Sequence, residues 1–189
     1  MMRATTEDGR QVVLFPTGEW VWEDESRVAT PSVPSLFRSV PWGVSKDEVQ
    51  RREVREPLTA DSGSDELHFE VRFFGQRWLA RYSFFKNTLE KGELLLVDEL
   101  PDEDANVELF QRIKVACEAQ FGEGQEKQIW SNDLFEDDPE SWGLAVGLGH
   151  MTWHAVFRSS DSRIEILLNE GDGVDMALFV KYSPAVQSI

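Results

Sequence analysis

The chain has 189 residues, with 35 acidic against 19 basic side chains, a net charge of −16, seven Trp and twelve Phe. That length supports one sizeable domain or two small ones, and the aromatic content argues for a packed core rather than disorder. The charge disfavours phosphate and hence nucleic-acid binding, the single cysteine (Cys117) excludes an intrachain disulfide framework, and no apolar run nears eighteen residues.

The start, MMRATTEDGRQ, has no apolar h-region and no lipidation cysteine, so the expectation is a cytoplasmic protein with no membrane partner. The charge is unevenly spread. Residues 36–97 balance ten bases against ten acids, whereas residues 98–140 hold fourteen acids and only Arg112, Lys114 and Lys127, a net of −11. A field of that sign serves solubility or steers towards a basic partner.

Gln11–Phe15 and Glu19–Trp22 flank Pro16-Thr17-Gly18 and read as an N-terminal hairpin within residues 1–23. Two strands alone are marginal in water, so the hairpin docks on the main body or on a second copy, which makes it a candidate homodimer element. Residues 24–35 are polar with two prolines and read as a linker, leaving residues 36–184 as the main domain.

Ser45-Lys46-Asp47-Glu48 has the form of a capping box, with Val44 and Val49 at the staple positions and acids at the positive end of the helix dipole. Pro41-Trp42-Gly43 supplies a turn and an apolar anchor before it, and Pro57 stops the helix about three turns later. Next comes the clearest pattern in the chain. Leu67, Phe69, Val71 and Phe73 alternate on one face, as do Trp78, Ala80, Tyr82 and Phe84. A type II′ turn at Gly75-Gln76 pairs Phe73 with Trp78 and Leu67 with Phe84, and sets Glu70 opposite Arg81. A third strand near Glu93–Asp98 follows a turn at Lys91-Gly92.

Asp102–Phe121 is the second helix, ended by Gly122. Strands follow at Lys127–Ser131, His150–Arg158, Arg163–Leu168 and Val174–Tyr182, and Pro184 closes the domain. The order is helix–three strands, then helix–four strands. The expected fold is therefore α+β: an antiparallel sheet built from two α-β-β-β-type pseudo-repeats, with both helices on one face and the small hairpin in front.

No constellation of residues specifies a catalytic site. On a strand, His150 and His154 lie roughly 13 Å apart and cannot share a metal ion. Cys117 faces the core near a helix C-terminus, where the dipole disfavours a thiolate. No Gly-x-Ser-x-Gly elbow, dinucleotide fingerprint or phosphate loop is present, and Gly143, Gly147 and Gly149 read as bends or bulges leading into the His150 strand. The acidic loops 133–140 and 170–175 could offer oxygens to Ca²⁺ but lack EF-hand spacing, and read first as solvated turns. No cofactor, metal or catalytic residue is therefore assigned. Two binding candidates remain. Arg72, Arg77 and Arg81, with His68, form a small basic patch suited to an anionic group or the acidic tract of another copy; Glu136, Asp137 and Asp138 suit a basic partner.

Two segments carry a resemblance. Thr6-Glu-Asp-Gly-Arg-Gln-Val-Val-Leu with Thr17-Gly-Glu-Trp resembles a DGR-x-V-x-L…DGTW hairpin of uncharacterised bacterial proteins, with Thr17 where Asp is usual and Glu19 where Thr is usual. Phe37-Arg-Ser-Val-Pro-Trp-Gly-Val-Ser-Lys-Asp-Glu-Val resembles the helix start of another such group, and its Gly43-x-Ser-Lys-x-x-Val core is similar to small outer-membrane-assembly lipoproteins of SmpA/OmlA type. The resemblance implies a bacterial α+β interaction domain with no catalytic residues to carry over. The functional expectation is a non-catalytic protein-interaction domain. The alternatives are an acidic chaperone or immunity-type inhibitor masking a basic partner, and an enzyme with a dispersed site.

Overall fold

The computed structural model describes residues 2–5, 11–14, 20–22, 33–53, 55–58, 64–171 and 176–185. They fall into two units, Met1–Ser32 and Val33–Ile189.

The first unit is an antiparallel sheet of three short strands, β1 (Met2–Thr5), β2 (Gln11–Leu14) and β3 (Trp20–Trp22), in the order β1-β2-β3. The β2–β3 hairpin matches the N-terminal pattern. The added strand β1 pairs Arg3 with Val13 and supplies the third strand that so short a ribbon needs.

The second unit is an α+β domain on a seven-stranded, wholly antiparallel sheet. Its strands are β4 (Glu66–Phe73), β5 (Gln76–Phe85), β6 (Thr88–Leu96), β7 (Gln125–Trp130), β8 (Met151–Arg158), β9 (Ser162–Glu170) and β10 (Met176–Pro184), in the order β4-β5-β6-β10-β9-β8-β7. Helix α1 (Lys46–Arg52) precedes the first meander; α2 (Glu103–Phe121) and the short α3 (Trp142–Gly147) accompany the second. The two pseudo-repeats join where β6 meets β10.

Ser45 caps α1, its Oγ accepting from the Glu48 amide at 3.3 Å. The reciprocal half of the capping box is not formed; the Glu48 carboxylate instead binds Arg51 and Arg52 at 2.6 and 2.7 Å. The helix ends at Arg52, two turns long rather than three, because Glu53 turns extended to meet Arg38. Asp102 caps α2 through the Ala105 amide, and Gly122 ends the helix as its C-cap at φ 82° and ψ −171°, a backbone that favours glycine but is not the left-handed helical turn expected there. Lys114 ties α2 to β7 through Glu126 at 2.9 Å, and this bond holds its ammonium above the usual lysine range.

The first hairpin is displaced from expectation by two residues. Val71 pairs with Trp78, Phe69 with Ala80 and Leu67 with Tyr82, around a turn at Phe74-Gly75 with φ of 51° and 85°. Two successive left-handed residues have the form of a type I′ turn, which matches strand twist as the expected II′ turn at Gly75-Gln76 also would. Phe74 accepts that backbone because its ring is buried against Phe73, with the Arg112 guanidinium above it. A slip of two preserves the faces, so the apolar set stays inside. It does, however, replace the expected Glu70–Arg81 pair with His68 opposite Arg81.

The next turn also moves. Lys86 and Asn87, at φ 49° and 62°, close the β5–β6 hairpin, and Lys91-Gly92 lies within β6. Gly92 sits between Tyr82 and Tyr182 in the cross-strand row, and the Phe37 ring occupies the space that a side chain at Gly92 would fill. This is how an aromatic ring shields a strand glycine.

The core lies on one side of the sheet. Leu67, Phe69, Trp78, Tyr82, Ile164, Ile166, Val180 and their neighbours meet Phe37, Val49, Phe110 and Ile113 there. Trp42 joins the core edge and donates its indole N–H to Ser162 Oγ at 3.0 Å. Among the described residues no helix is long and apolar enough to cross a membrane.

Candidate functional site

None of the described elements of this unit packs on the opposite face of the sheet, where alternation places the second side chain of every strand pair. The registers order these side chains into rows. One row crosses Leu79 (β5), Leu95 (β6), Phe179 (β10) and Leu167 (β9), all partly exposed. The adjoining row crosses His68, Arg81, Glu93, Lys181 and Glu165, alternating in charge. One step further lie Ser83, Lys91, Ser183 and Arg163. The polar rows line a depression of about 380 Å³ holding Arg81, Lys91, Arg163 and Lys181 against Glu93 and Glu165. It is cationic on a protein whose net charge is −16.

The cations of this depression are loosely held. Arg81 stands 3.6 Å from Glu93 and 3.9 Å from Glu66, too far for hydrogen bonds, and its Nε has no hydrogen-bond partner among the described residues. Lys181 reaches the same Glu93 at 3.7 Å and lies over the Phe179 ring at 4.8 Å, joining the charged row to the apolar one. Lys91 is exposed and makes no ion pair among the described residues. Arg163 differs, bonded to Glu165 at 2.7 Å.

The basic patch expected from sequence is only partly assembled. Arg72 and Arg77 face one another across the β4–β5 pair. Arg77 is closed by Asp98, which accepts from its backbone N–H at 2.7 Å and its Nε at 2.6 Å. Those bonds hold Asp98 below, and Arg77 above, its ordinary range. Arg81, four residues along the strand and thus about 13 Å from Arg77, belongs instead with Lys91, Arg163 and Lys181. Sequence reasoning missed these three because only sheet order brings them together. Their alternation within β6, β9 and β10 was the available signal. Glu136, Asp137 and Asp138 are exposed in the turn after β7; Asp138 accepts from Ser141 Oγ at 2.7 Å, and none of the three meets a base among the described residues.

A second cluster fastens the covered side. Arg38, at a left-handed φ of 49°, donates two hydrogen bonds to Glu53 at 2.7 and 3.0 Å, and the Tyr82 hydroxyl donates to the same carboxylate. Burial alone would raise Glu53, but the bonds from Arg38 and Tyr82 and the guanidinium charge outweigh it and hold the carboxyl below its usual range. Burial, with Glu53 beside it, pushes the Tyr82 phenol far up.

His154 is paired with Glu165 at 3.0 Å, while the His150 ring lies against Phe135 with its Nδ1 unpartnered. Among the described residues no group of three or more His, Cys, Asp or Glu side chains could hold a metal ion. Of the acidic loop 170–175, residues 172–175 lie outside the described set. The glycines expected to bend the chain before β8 instead belong largely to α3. Gly143 lets that helix approach α2, since a Cβ there would lie 2.6 Å from Asp104 Oδ1.

No protein-family model, curated protein or solved structure matches this chain.

Cys117 is wholly buried on α2, and burial, with Glu118 adding, pushes its thiol up to about 12. Native protein at neutral pH is therefore expected to resist maleimide, with labelling limited by unfolding. Labelling of the native protein as fast as of the urea-unfolded chain would contradict this placement.

Proposed function

We propose that this chain is a non-catalytic protein-interaction domain of a bacterial cytoplasmic protein, and that it binds its partner on the face of the seven-stranded sheet where no described element of this unit packs. The row of Leu79, Leu95, Phe179 and Leu167 carries this reading: four large apolar side chains lie in line across adjacent strands with no described element of this unit over them. Such a row bordered by charged side chains has the composition of an interface with an apolar centre and polar rim. The displaced pKa values among the described residues each have a local structural cause. Glu53 and Asp98 are held down by hydrogen bonds from arginines; Arg38, Arg77 and Lys114 are held up by carboxylates; burial raises Cys117, Tyr82 and Tyr182. Each moves away from neutrality, whereas a general acid or base works best when moved towards it.

A photo-crosslinking residue at Leu95 or Phe179, introduced in the native cell, is expected to capture one protein partner, and one at Val115 on the exposed side of α2 is not. Capture from Val115 with none from the sheet positions would refute the assignment.

A second reading, an acidic chaperone or inhibitor that masks a basic partner, is favoured by the uncompensated exposure of Glu136, Asp137 and Asp138. It requires a salt-sensitive complex that is lost when these three are changed to Asn or Gln. Unchanged affinity removes it.

A further inference from the structure

The face that no described element of this unit covers is not uniform in sign, and its charged part restricts what the partner can be. The depression beside the apolar row holds four cations and two carboxylates, yet the chain elsewhere is acidic enough to have closed every one of those cations. It does so at Arg38 and Arg77, whose carboxylate partners lie at 2.6–3.0 Å. At Arg81 and Lys181 it does not: both share Glu93, at 3.6 and 3.7 Å. Arg81 keeps an Nε with no acceptor, shielded from water by its neighbours. An unmatched guanidinium donor in such a place costs free energy unless something arrives to accept from it.

We infer that this depression receives the carboxylates of an acidic amphipathic segment of the partner, whose apolar side lies on Leu79, Leu95, Phe179 and Leu167. The inference rests on the partner-surface reading and narrows it to one class of ligand. Three features select a peptide carboxylate over a free phosphate. Glu93 and Glu165 stand inside the depression, and they repel a doubly charged phosphate more strongly than a singly charged carboxylate. The cations are spread over β5, β6, β9 and β10 rather than converging on one point. Arg81 and Lys181 are two strands apart, about 10 Å at the usual strand spacing, which is the reach of carboxylates two turns apart on a helix. The apolar row adjoins the cations along its length, and Lys181 over Phe179 bridges the two. That row spans three strand spacings, about 14 Å, or about ten helical residues. A helix with an apolar stripe and an acidic flank meets both rows at once.

The probe is a fluorescein-labelled twelve-residue peptide of alternating Leu-Leu and Glu-Glu pairs, titrated with full-length protein and followed by anisotropy. Its counterpart has Gln at every Glu. Binding of the Glu peptide is expected to weaken about tenfold or more in the double variant R81Q/K181Q, in high salt, and on replacing Glu by Gln. Equal binding of the Gln peptide, or no effect of R81Q/K181Q with the fold intact by circular dichroism, overturns the inference. So does competition by inorganic phosphate at concentrations where added chloride has no effect, because the site would then be a phosphate site. Sedimentation that shows self-association lost in R81Q/K181Q would make the occupant a second copy, which also overturns it. The parent reading is kept separable by crosslinking from Phe179 in R81Q/K181Q. Persistent capture of the same partner leaves the surface standing and removes only its acidic specificity.

Discussion

Exchange of Gly92 for Ala is expected to lower stability by about 1–3 kcal/mol in the native background and to change sign when Phe37 is already Ala. Gly92 lies opposite Tyr82 on one side and Tyr182 on the other. The Phe37 ring is seated in the gap between them, with centroids 4.7 and 5.4 Å away. Phe37 is fully buried and cannot withdraw, so a Cβ at Gly92 overlaps its ring. Phe37→Ala by itself removes a buried aromatic and is expected to cost about 3–5 kcal/mol. With the ring gone, Ala at position 92 no longer collides and restores strand propensity, a gain of about 0.5–1 kcal/mol. Urea unfolding of the four proteins forms the cycle. Additive losses would mean that Phe37 does not occupy the space over Gly92.

Replacement of Glu53 by Ala is expected to cost about 3 kcal/mol, because it strands the Arg38 guanidinium and the Tyr82 hydroxyl on the covered side of the sheet. The Glu53 side chain is 6% exposed, whereas Arg38 is 30% exposed, so rehydration of Arg38 keeps the loss at the lower end of the range for a buried pair. Glu53→Gln retains an acceptor but no charge and is expected to cost less, about 1–2 kcal/mol.

The charge gives this loss a pH signature. The Glu53 carboxyl titrates below its unfolded value in the native protein, so through that window the unfolded chain binds more protons and stability rises with pH. The contribution is therefore complete above the ordinary glutamate pKa of about 4.3 and is lost as pH falls through the lower, folded value. Stability curves of native protein and Glu53→Gln should run parallel from pH 7 to 5 and converge in acid. A gap that stays constant down to pH 3 would show that the carboxylate is not the group responsible.

Both predictions concern Phe37–Glu53, whose outline was readable in the chain. Ser45 announces α1, and Pro41-Trp42-Gly43 the turn and its apolar anchor; nothing local says what Phe37 touches. The partner of Phe37 is a glycine 55 positions away that local chemistry marks as a turn residue. Its place inside β6 follows from Lys86-Asn87, which take the left-handed turn instead, and from the ring that shields it. Helix α3 was hidden for a related reason. Trp142-Gly-Leu-Ala-Val-Gly147 is short and has two glycines, a poor helix by propensity, and it stands because Gly143 admits close contact with the start of α2.

What the amino-acid order determined alone is the set of local periods. Alternation named the inner and outer side chains of β4 and β5, and it did so even where the turn was misplaced, because a slip of two residues leaves every side chain on its face. Capping residues and helical spacing marked the start of α1 and both ends of α2 in the same way, whereas the end of α1 was set by the contact of Glu53 with Arg38. Tertiary structure alone decided which strands are neighbours and in what register. That choice sets Leu79, Leu95, Phe179 and Leu167 in one row, and separates Arg81 from Arg77 to place it with Lys91, Arg163 and Lys181. The physical reason is that side-chain direction is dictated by backbone geometry over a few residues. Proximity across a sheet is dictated by pairings between segments as far apart as Gly92 and Tyr182, for which no local pattern codes.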